Sequence, residues 1–278
     1  MILAVASGKG GTGKTLVATN LARVLGKVRL LDCDVEEPNA HIFLNPEITQ
    51  KIEVGIPVPR IDESSCTYCG RCAEVCAYHA IVVARHKVLI FPELCHGCGG
   101  CAPECPAEAI SEVERPIGVV ELGKAAEIEF GHGVLNVGEL SGVRLIKELK
   151  KQMKGGSEMV ILDAPPGASC PTVESVRNAD YCLLVTEPTP FGLYDLSLAV
   201  KFLREMRIPR GVVINRAGLG NDDKLKDFCR SEDLPVLAEI PFDRKIAEIY
   251  SRGGLIVEQI PEYRIVFQDL AKRISEHK

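Results

Sequence analysis

The sequence predicts an α/β fold: a doubly wound, mostly parallel sheet carrying a small inserted α+β module rich in cysteine. Three observations predict it. Apolar strand-like runs alternate with helical patterns from end to end, and a glycine-rich G-x-x-x-x-G-K-T loop joins the first run to the first helix. Eight of the twelve cysteines crowd between Cys66 and Cys105.

The first strand, Ile2 to Ala6, feeds Gly8-Lys9-Gly10-Gly11-Thr12-Gly13-Lys14-Thr15, and Leu16 to Leu25 follow with helical spacing of apolar residues. Without Cβ atoms, the four glycines let backbone N–H groups close around phosphate oxygens, and the helix N-terminus adds its partial positive charge. Lys14 can then reach the β and γ phosphates, and the Thr15 hydroxyl can ligate Mg²⁺. Lys9 makes the loop more particular, because a second lysine at this place resembles the deviant Walker A motif of the MinD/ParA/Mrp family and of the nitrogenase iron protein. In that family the early lysine reaches the nucleotide of the other subunit. The resemblance therefore implies ATP or ADP as ligand and a homodimer, formed constitutively or on ATP binding.

Composition narrows the function classes. A chain of 278 residues suffices for one large domain with an insertion or for two ordinary domains. Hydrophobic residues at 46% with 26% charged suit a soluble protein, and a formal net charge of −5 argues against a general nucleic-acid binder. The first strand starts at Ile2, leaving no room for a signal peptide, and no apolar stretch approaches the ~20 residues that span a bilayer. The expectation is a cytoplasmic protein, whose cysteines bind metal rather than form disulfides.

The second strand, Val28 to Asp34, ends in carboxylates on the side of an open parallel sheet where ligands bind. The stretch Asp34 to Asn39 resembles the family's switch I, which implies that Asp34 positions the attacking water, with Asp32 as the alternative. Residues 52–58 alternate like a strand that stops at Pro59. The expected organisation is an ATPase domain in two parts, 1–59 and 115–278, with an insertion at 60–114.

The insertion holds Cys66-x-x-Cys69-x-x-Cys72-x-x-x-Cys76 and Cys95-x-x-Cys98-x-x-Cys101-x-x-x-Cys105, around an 80–90 stretch readable as strand or hairpin. Each run is similar to the bacterial ferredoxin pattern, in which three cysteines hold one cluster and the fourth crosses to the other. Carried over by position, one [4Fe–4S] cluster takes Cys66, Cys69, Cys72 and Cys105, and the other Cys95, Cys98, Cys101 and Cys76. His96 then tunes its cluster by hydrogen bonding. Paired C-x-x-C sites for zinc are the alternative.

Strands are next expected at 118–122, 127–130 and 133–137, then a helix over 143–153 ended by Gly155-Gly156. The run Met159 to Asp163 followed by Ala164-Pro165-Pro166-Gly167 resembles Walker B leading into switch II. This implies that Asp163 holds Mg²⁺ through water and that the Gly167 amide senses the γ-phosphate. Cys170 falls where the nitrogenase iron protein carries a bridging cysteine, whereas Glu139 stands near the place of that protein's second one. Strands at 181–186, 211–215 and 236–240 alternate with helices at 194–206, 224–231, 245–250 and 262–277. Asn215 resembles the family's adenine reader, and Pro241 and Phe242 the loop packing against the base. The last helix mixes acids with bases on its polar face, which favours core docking over membrane attachment.

The chain is thus identified as a member of the MinD-type P-loop ATPases with an inserted two-cluster ferredoxin-like domain. The resemblance implies an ATPase in which Mg·ATP-driven switch motion gates electron transfer through two clusters to a partner protein. Two alternatives are an ATP-dependent scaffold or carrier for iron–sulfur or metallocofactor assembly, and a redox-sensing regulatory switch.

Overall fold

The computed structural model describes residues 1–153 and 159–276. Among these, one sheet of nine strands organises the molecule. In chain order its strands are β1 (Ile2–Ala6), β2 (Arg29–Asp32), β3 (Glu47–Ile61), then β6 (Ile110–Ala125), β7 (Ile128–Leu135), β8 (Val160–Asp163), β9 (Tyr181–Thr186), β10 (Arg210–Ala217) and β11 (Val236–Pro241), while β4 (Ile81–Ala84) and β5 (Lys87–Ile90) form a separate hairpin. The spatial order is β11-β10-β9-β1-β8-β2-β7-β6-β3. From β11 to β7 all neighbours are parallel, and β6 and β3 close that edge antiparallel.

The central strands are short apolar runs buried on both faces, as parallel strands under helices must be. Helices α1 (Lys14–Leu25), α2 (Ala40–Leu44), α8 (Arg244–Ser251), α9 (Ile256–Gln259) and α10 (Pro261–Ser275) cover one face. Helices α4 (Val143–Lys150), α5 (Cys170–Val176), α6 (Pro190–Glu205) and α7 (Asp222–Ser231) cover the other. The remaining helix, α3 (Arg71–Val75), belongs to the cysteine-rich module. Val266 packs against the first core, and Phe267, Leu270 and Ile274 of α10 lie inside it, so the C-terminal apolar stripe docks onto the sheet. No helix among the described residues is long and apolar enough to cross a membrane.

Three strand expectations need correction. The strand expected at 52–58 is β3 over Glu47–Ile61, paired along its whole length with β6, of which the sequence pattern marks only 118–122. Pro57 and Pro59 look like breakers, but β3 is an edge strand, where a missing N–H need not break the ladder. The two strands expected at 127–130 and 133–137 are the single strand β7. Its Gly131 and Gly133 are required by packing, because a Cβ at either would meet Leu31 and Leu122 or Val35 and Leu145 within 3.1 Å. Helices α2 and α5 carry no clear sequence signal. The expected helix end at Gly155-Gly156, and His277 at the chain end, lie outside the described residues.

The β3–β6 ribbon carries the module. Its ladder ends at the Ile61–Ile110 pair, and one more bond, Asp62 N–H to the Ala109 carbonyl at 2.8 Å, closes the neck.

Candidate functional site

The phosphate loop leaves β1 and enters α1 through Gly13, which adopts φ 97° and closely approaches the Asn215 amide. A Cβ at Gly13 would lie 2.3 Å from Asn215 Nδ2, and one at Gly8 would lie 2.2 Å from the Asp195 carbonyl oxygen of α6. Both glycines are therefore dictated by close protein neighbours. Inside the loop, Ser7 Oγ donates to the Lys9 carbonyl at 2.6 Å. Lys14, Thr12 and Thr15 are buried, and Thr12 Oγ1 has no protein partner among the described residues.

Asp163, at the end of β8, is 1% exposed, and neither of its carboxylate oxygens has a hydrogen-bond partner among the described residues. Burial, and then the neighbouring Asp32 carboxylate, hold its pKa well above the ordinary value, against the opposing pull of Thr15 and Lys14. An orphaned buried carboxylate beside a threonine hydroxyl and a lysine fits a divalent cation carried in with phosphates. Asp32 is different, because its oxygens accept from the N–H groups of Asp34 at 3.1 Å and of Asn39 and Ala40 at 2.9 Å each. These bonds hold the 34–40 turn and occupy the Asp32 carboxylate. Asp34 is partly buried, and burial followed by Asp32 pushes its pKa up to about 6, with Lys14 opposing.

Two expected ligand contacts are occupied within the protein. The Gly167 N–H, expected to sense the γ-phosphate, donates to the Ser7 carbonyl at 3.0 Å. The Asn215 amide, expected to read adenine, donates to the Thr12 carbonyl at 2.7 Å and accepts from the Arg216 N–H at 3.0 Å. Asn215 nevertheless lines a cavity of about 280 Å³ with Gly11, Gly13, Pro241, Phe242 and Tyr250, which brings the expected base-side residues to the phosphate loop. Tyr250, stacked on Phe43 at 4.4 Å, has no sequence signal.

Lys9 forms an ion pair with Glu187, which also accepts from Arg216 Nη1 at 2.7 Å. Against the burial that raises it, Lys9 and Arg216 hold the Glu187 carboxyl below its ordinary pKa. Sequence reasoning misses Glu187, although it follows the end of β9 much as Asp163 ends β8, a signal that could have found it.

In the module each residue from Cys66 to Cys76 has a counterpart 29 positions on, from Cys95 to Cys105. The backbone repeats with it: Tyr68 and Gly97, Gly70 and Gly99, His79 and Glu108 all take positive φ in matching places. Cys66 and Cys95 each accept an N–H two residues on, at 3.4 Å, and Cys76 and Cys105 one four residues on, at 3.3 Å. Burial, and after it the nearby Cys66 and Cys105, push the Cys72 thiol up; burial, then Cys95, Cys98 and Glu112, do so for Cys101. Sulfurs gathered in two sets and receiving backbone N–H groups fit thiolate-held clusters, whose potentials such bonds tune. Among the described residues no three metal-binding side chains stand close enough together to hold a metal ion. Cys69 and Cys98 are exposed, and so is Cys170, at the start of α5.

The chain is similar to known proteins in sequence and in fold. The model of the CobQ/CobB/MinD/ParA nucleotide binding domain matches residues 3–256. An uncharacterized protein of Methanocaldococcus jannaschii is 34% identical, over 99% of this chain and 96% of its own. The iron-sulfur cluster carrier protein of Pyrococcus horikoshii is 26% identical, over 98% of this chain and 84% of its own. Among solved structures, the septum site-determining protein MinD complexed with Mg-ADP from Pyrococcus horikoshii superposes with a TM-score of 0.63 at 21% identity, covering 98% of this chain and 95% of that one.

Proposed function

Because the chain belongs to the CobQ/CobB/MinD/ParA nucleotide-binding family, we propose that it is a Mg·ATP-hydrolysing protein that serves iron–sulfur or metallocofactor assembly, with clusters held in its inserted module. The names of its carrier relatives favour this reading over ATP-gated electron transfer, the first expectation from sequence. The observation that carries it is the continuity of one antiparallel ladder from the nucleotide-binding sheet to the doubled cysteine module.

The protein's own groups divide the hydrolysis. Lys14 and the loop amides neutralise phosphate charge as it redistributes, and Asp34 orients the water and accepts its hydrogen bond. Thr15 and Asp163 would hold Mg²⁺, which supplies charge compensation at the phosphates. Breaking the Gly167–Ser7 bond would free an amide for the γ-phosphate and release switch II. Lys9, once detached from Glu187, would extend towards a second copy's nucleotide.

Clusters on Cys66, Cys69, Cys72 and Cys105, and on Cys95, Cys98, Cys101 and Cys76, would supply one-electron redox chemistry and hold the module together. The test is transfer of iron–sulfur from anaerobically loaded protein to an apo-ferredoxin acceptor, with Mg·ATP, with Mg·ADP and with Lys14→Ala. ATP-dependent transfer that Lys14→Ala removes supports assembly. No transfer, together with ATP-dependent reduction of an acceptor, would sink the assembly reading and restore the electron-transfer one.

A further inference from the structure

Two cavities share Glu139 and Leu140. The larger, about 650 Å³, is lined by Asp34, Glu36, Pro165 and Pro166 of the expected switch regions and by Glu139. The smaller, about 330 Å³, is lined by Tyr78, Cys95, His96, Cys98, Arg115 and Glu139. Glu139 and Arg115 form a fork-to-fork pair, Nη1 to Oε1 at 2.5 Å and Nη2 to Oε2 at 2.8 Å. Glu139 is 13% exposed and Arg115 22%, so the pair is largely shielded from solvent.

The segment bearing Glu139 is tied at both ends of this connection. The Leu135 N–H donates to the Val35 carbonyl of switch I at 2.9 Å, and the Asn136 N–H to the Ile117 carbonyl of β6 at 2.9 Å. Arg115 pairs in register with Ile56 of β3. Gly97, between Cys95 and Cys98, sits on Ile56 and Pro57 so closely that a Cβ there would come within 3.1 Å of both. A continuous packed connection thus runs from Asp34 and Val35 through residues 135–139 and Arg115 to the Cys95 loop.

We propose that the Glu139–Arg115 pair is a charge joint that couples nucleotide state to the cysteine set containing Cys95, Cys98 and Cys101. When Glu139 holds the guanidinium, the pair presents little net charge to the small cavity. When switch I carries residues 135–139 away, the uncompensated Arg115 faces Cys95 and Cys98 and favours the more negative state of whatever those thiolates hold. Linkage then requires reciprocity: an electron added at that set must change nucleotide affinity by the same factor. The two-cysteine-set asymmetry is part of the inference, since Arg115 shares its cavity with Cys95 and Cys98 but with none of Cys66, Cys69 or Cys72. The inference rests on the proposed reading of the cysteines as cluster ligands and of the loop as an ATP site.

The experiment is a redox titration of the full-length, anaerobically purified holoprotein, followed by electron paramagnetic resonance. It compares Mg·ADP with Mg and a non-hydrolysable ATP analogue, in wild type, Arg115→Gln and Glu139→Gln. Hydrogen exchange of the 93–99 peptide is read in the same samples. In wild type one cluster shifts with nucleotide by about tenfold in its reduced-to-oxidised ratio, ~59 mV for one electron. Glu139→Gln raises that cluster's potential, Arg115→Gln lowers it, and both remove the nucleotide dependence of potential and of exchange. Arg115→Lys, which keeps the charge, restores the direction of the shift.

A nucleotide shift that survives in both variants, that is equal for both clusters, or that is absent from wild type overturns the joint. Protein that carries no paramagnetic cluster overturns the proposed reading instead. The exchange readout still judges the joint in that case, because nucleotide must alter protection at 93–99 in wild type and not in Arg115→Gln.

Discussion

Lys9 of the phosphate loop is ion-paired with Glu187, 178 residues further along the chain, and Arg216 binds the other oxygen of the same carboxylate. The lysine that the family resemblance sends towards a second subunit is therefore held against its own. Reaching a partner's nucleotide costs this contact, and a partly buried charge pair is worth on the order of 1–2 kcal/mol.

Glu187→Gln should strengthen self-association in the presence of Mg·ATP by about tenfold, the equivalent of ~1.4 kcal/mol. Sedimentation velocity with ATP and with ADP checks this. An unchanged or weakened association with ATP would mean that Glu187 does not restrain Lys9.

Asp163 illustrates a site residue that opposes folding. Its carboxyl is pushed above the ordinary pKa by burial, and above that ordinary value the unfolded chain carries the charge more readily than the fold. Stability in the nucleotide-free protein should therefore fall as pH rises from the unfolded carboxylate pKa towards the folded one. Asp163→Asn should raise the melting temperature of nucleotide-free protein by a few degrees, at ~2–4 °C per kcal/mol for a chain near this size, while abolishing Mg·ATP hydrolysis. Calorimetry without nucleotide and a phosphate-release assay decide it; a variant less stable than wild type contradicts the argument.

Asp34 should set the acid limb of hydrolysis. With its pKa pushed up to about 6, it loses its charge as pH falls through that value and can no longer hold water as an acceptor. In kcat/KM, which reports free protein, activity should drop below about pH 6, and Asp34→Asn should leave a much lower rate without that limb. A profile flat across the acid side of neutrality in wild type removes Asp34 from the role.

Much of this was legible in the sequence for a simple reason. Strands β1, β2, β8, β9 and β10 are largely buried on both faces, so apolar runs ending in Asp32, Asp163 or Asn215 mark both the sheet and its ligand edge. The β3–β6 ribbon was legible only in part, because β3 over 47–51 and β6 over 111–114 are largely exposed and its prolines look like breakers. Nor can local pattern reveal pairings such as Lys9 with Glu187 or Arg115 with Glu139, which are made by tertiary folding. The switch II motif locates Gly167 but not the bond its amide already makes, since the partner, Ser7, belongs to another strand end.

Lys150 is a buried cation with a structural task. Its Nζ donates to the carbonyls of Glu174 at 2.6 Å, Ser175 at 3.0 Å and Arg177 at 2.7 Å, closing the C-terminus of α5. Burial lowers its pKa, yet three carbonyls at a helix end favour keeping the charge. Lys150→Met should destabilise the protein by about 2–3 kcal/mol, because the carbonyls lose a charged donor without gaining water. Urea denaturation measures the loss, and hydrogen exchange should locate the extra opening in α5. A variant as stable as wild type would show that these bonds contribute nothing net.

On the proposed reading of the cysteines as cluster ligands, removing iron should unfold the module only as far as the ribbon supports it. Few apolar side chains are buried beyond the neck, among them Ala80, Ile81 and Ala109, so the proposed clusters and the local N–H to sulfur bonds would do most to order residues between Asp62 and Ala109. The β3–β6 ladder below it has its own hydrogen bonds up to the Ile61–Ile110 pair, just inside the insertion expected at 60–114. After anaerobic chelation, hydrogen exchange should therefore rise over 63–108 and stay slow along 47–58 and 113–125, with ATP binding retained. Exchange that rises along the ladder as well would show that the clusters stabilise the edge of the nucleotide-binding sheet itself.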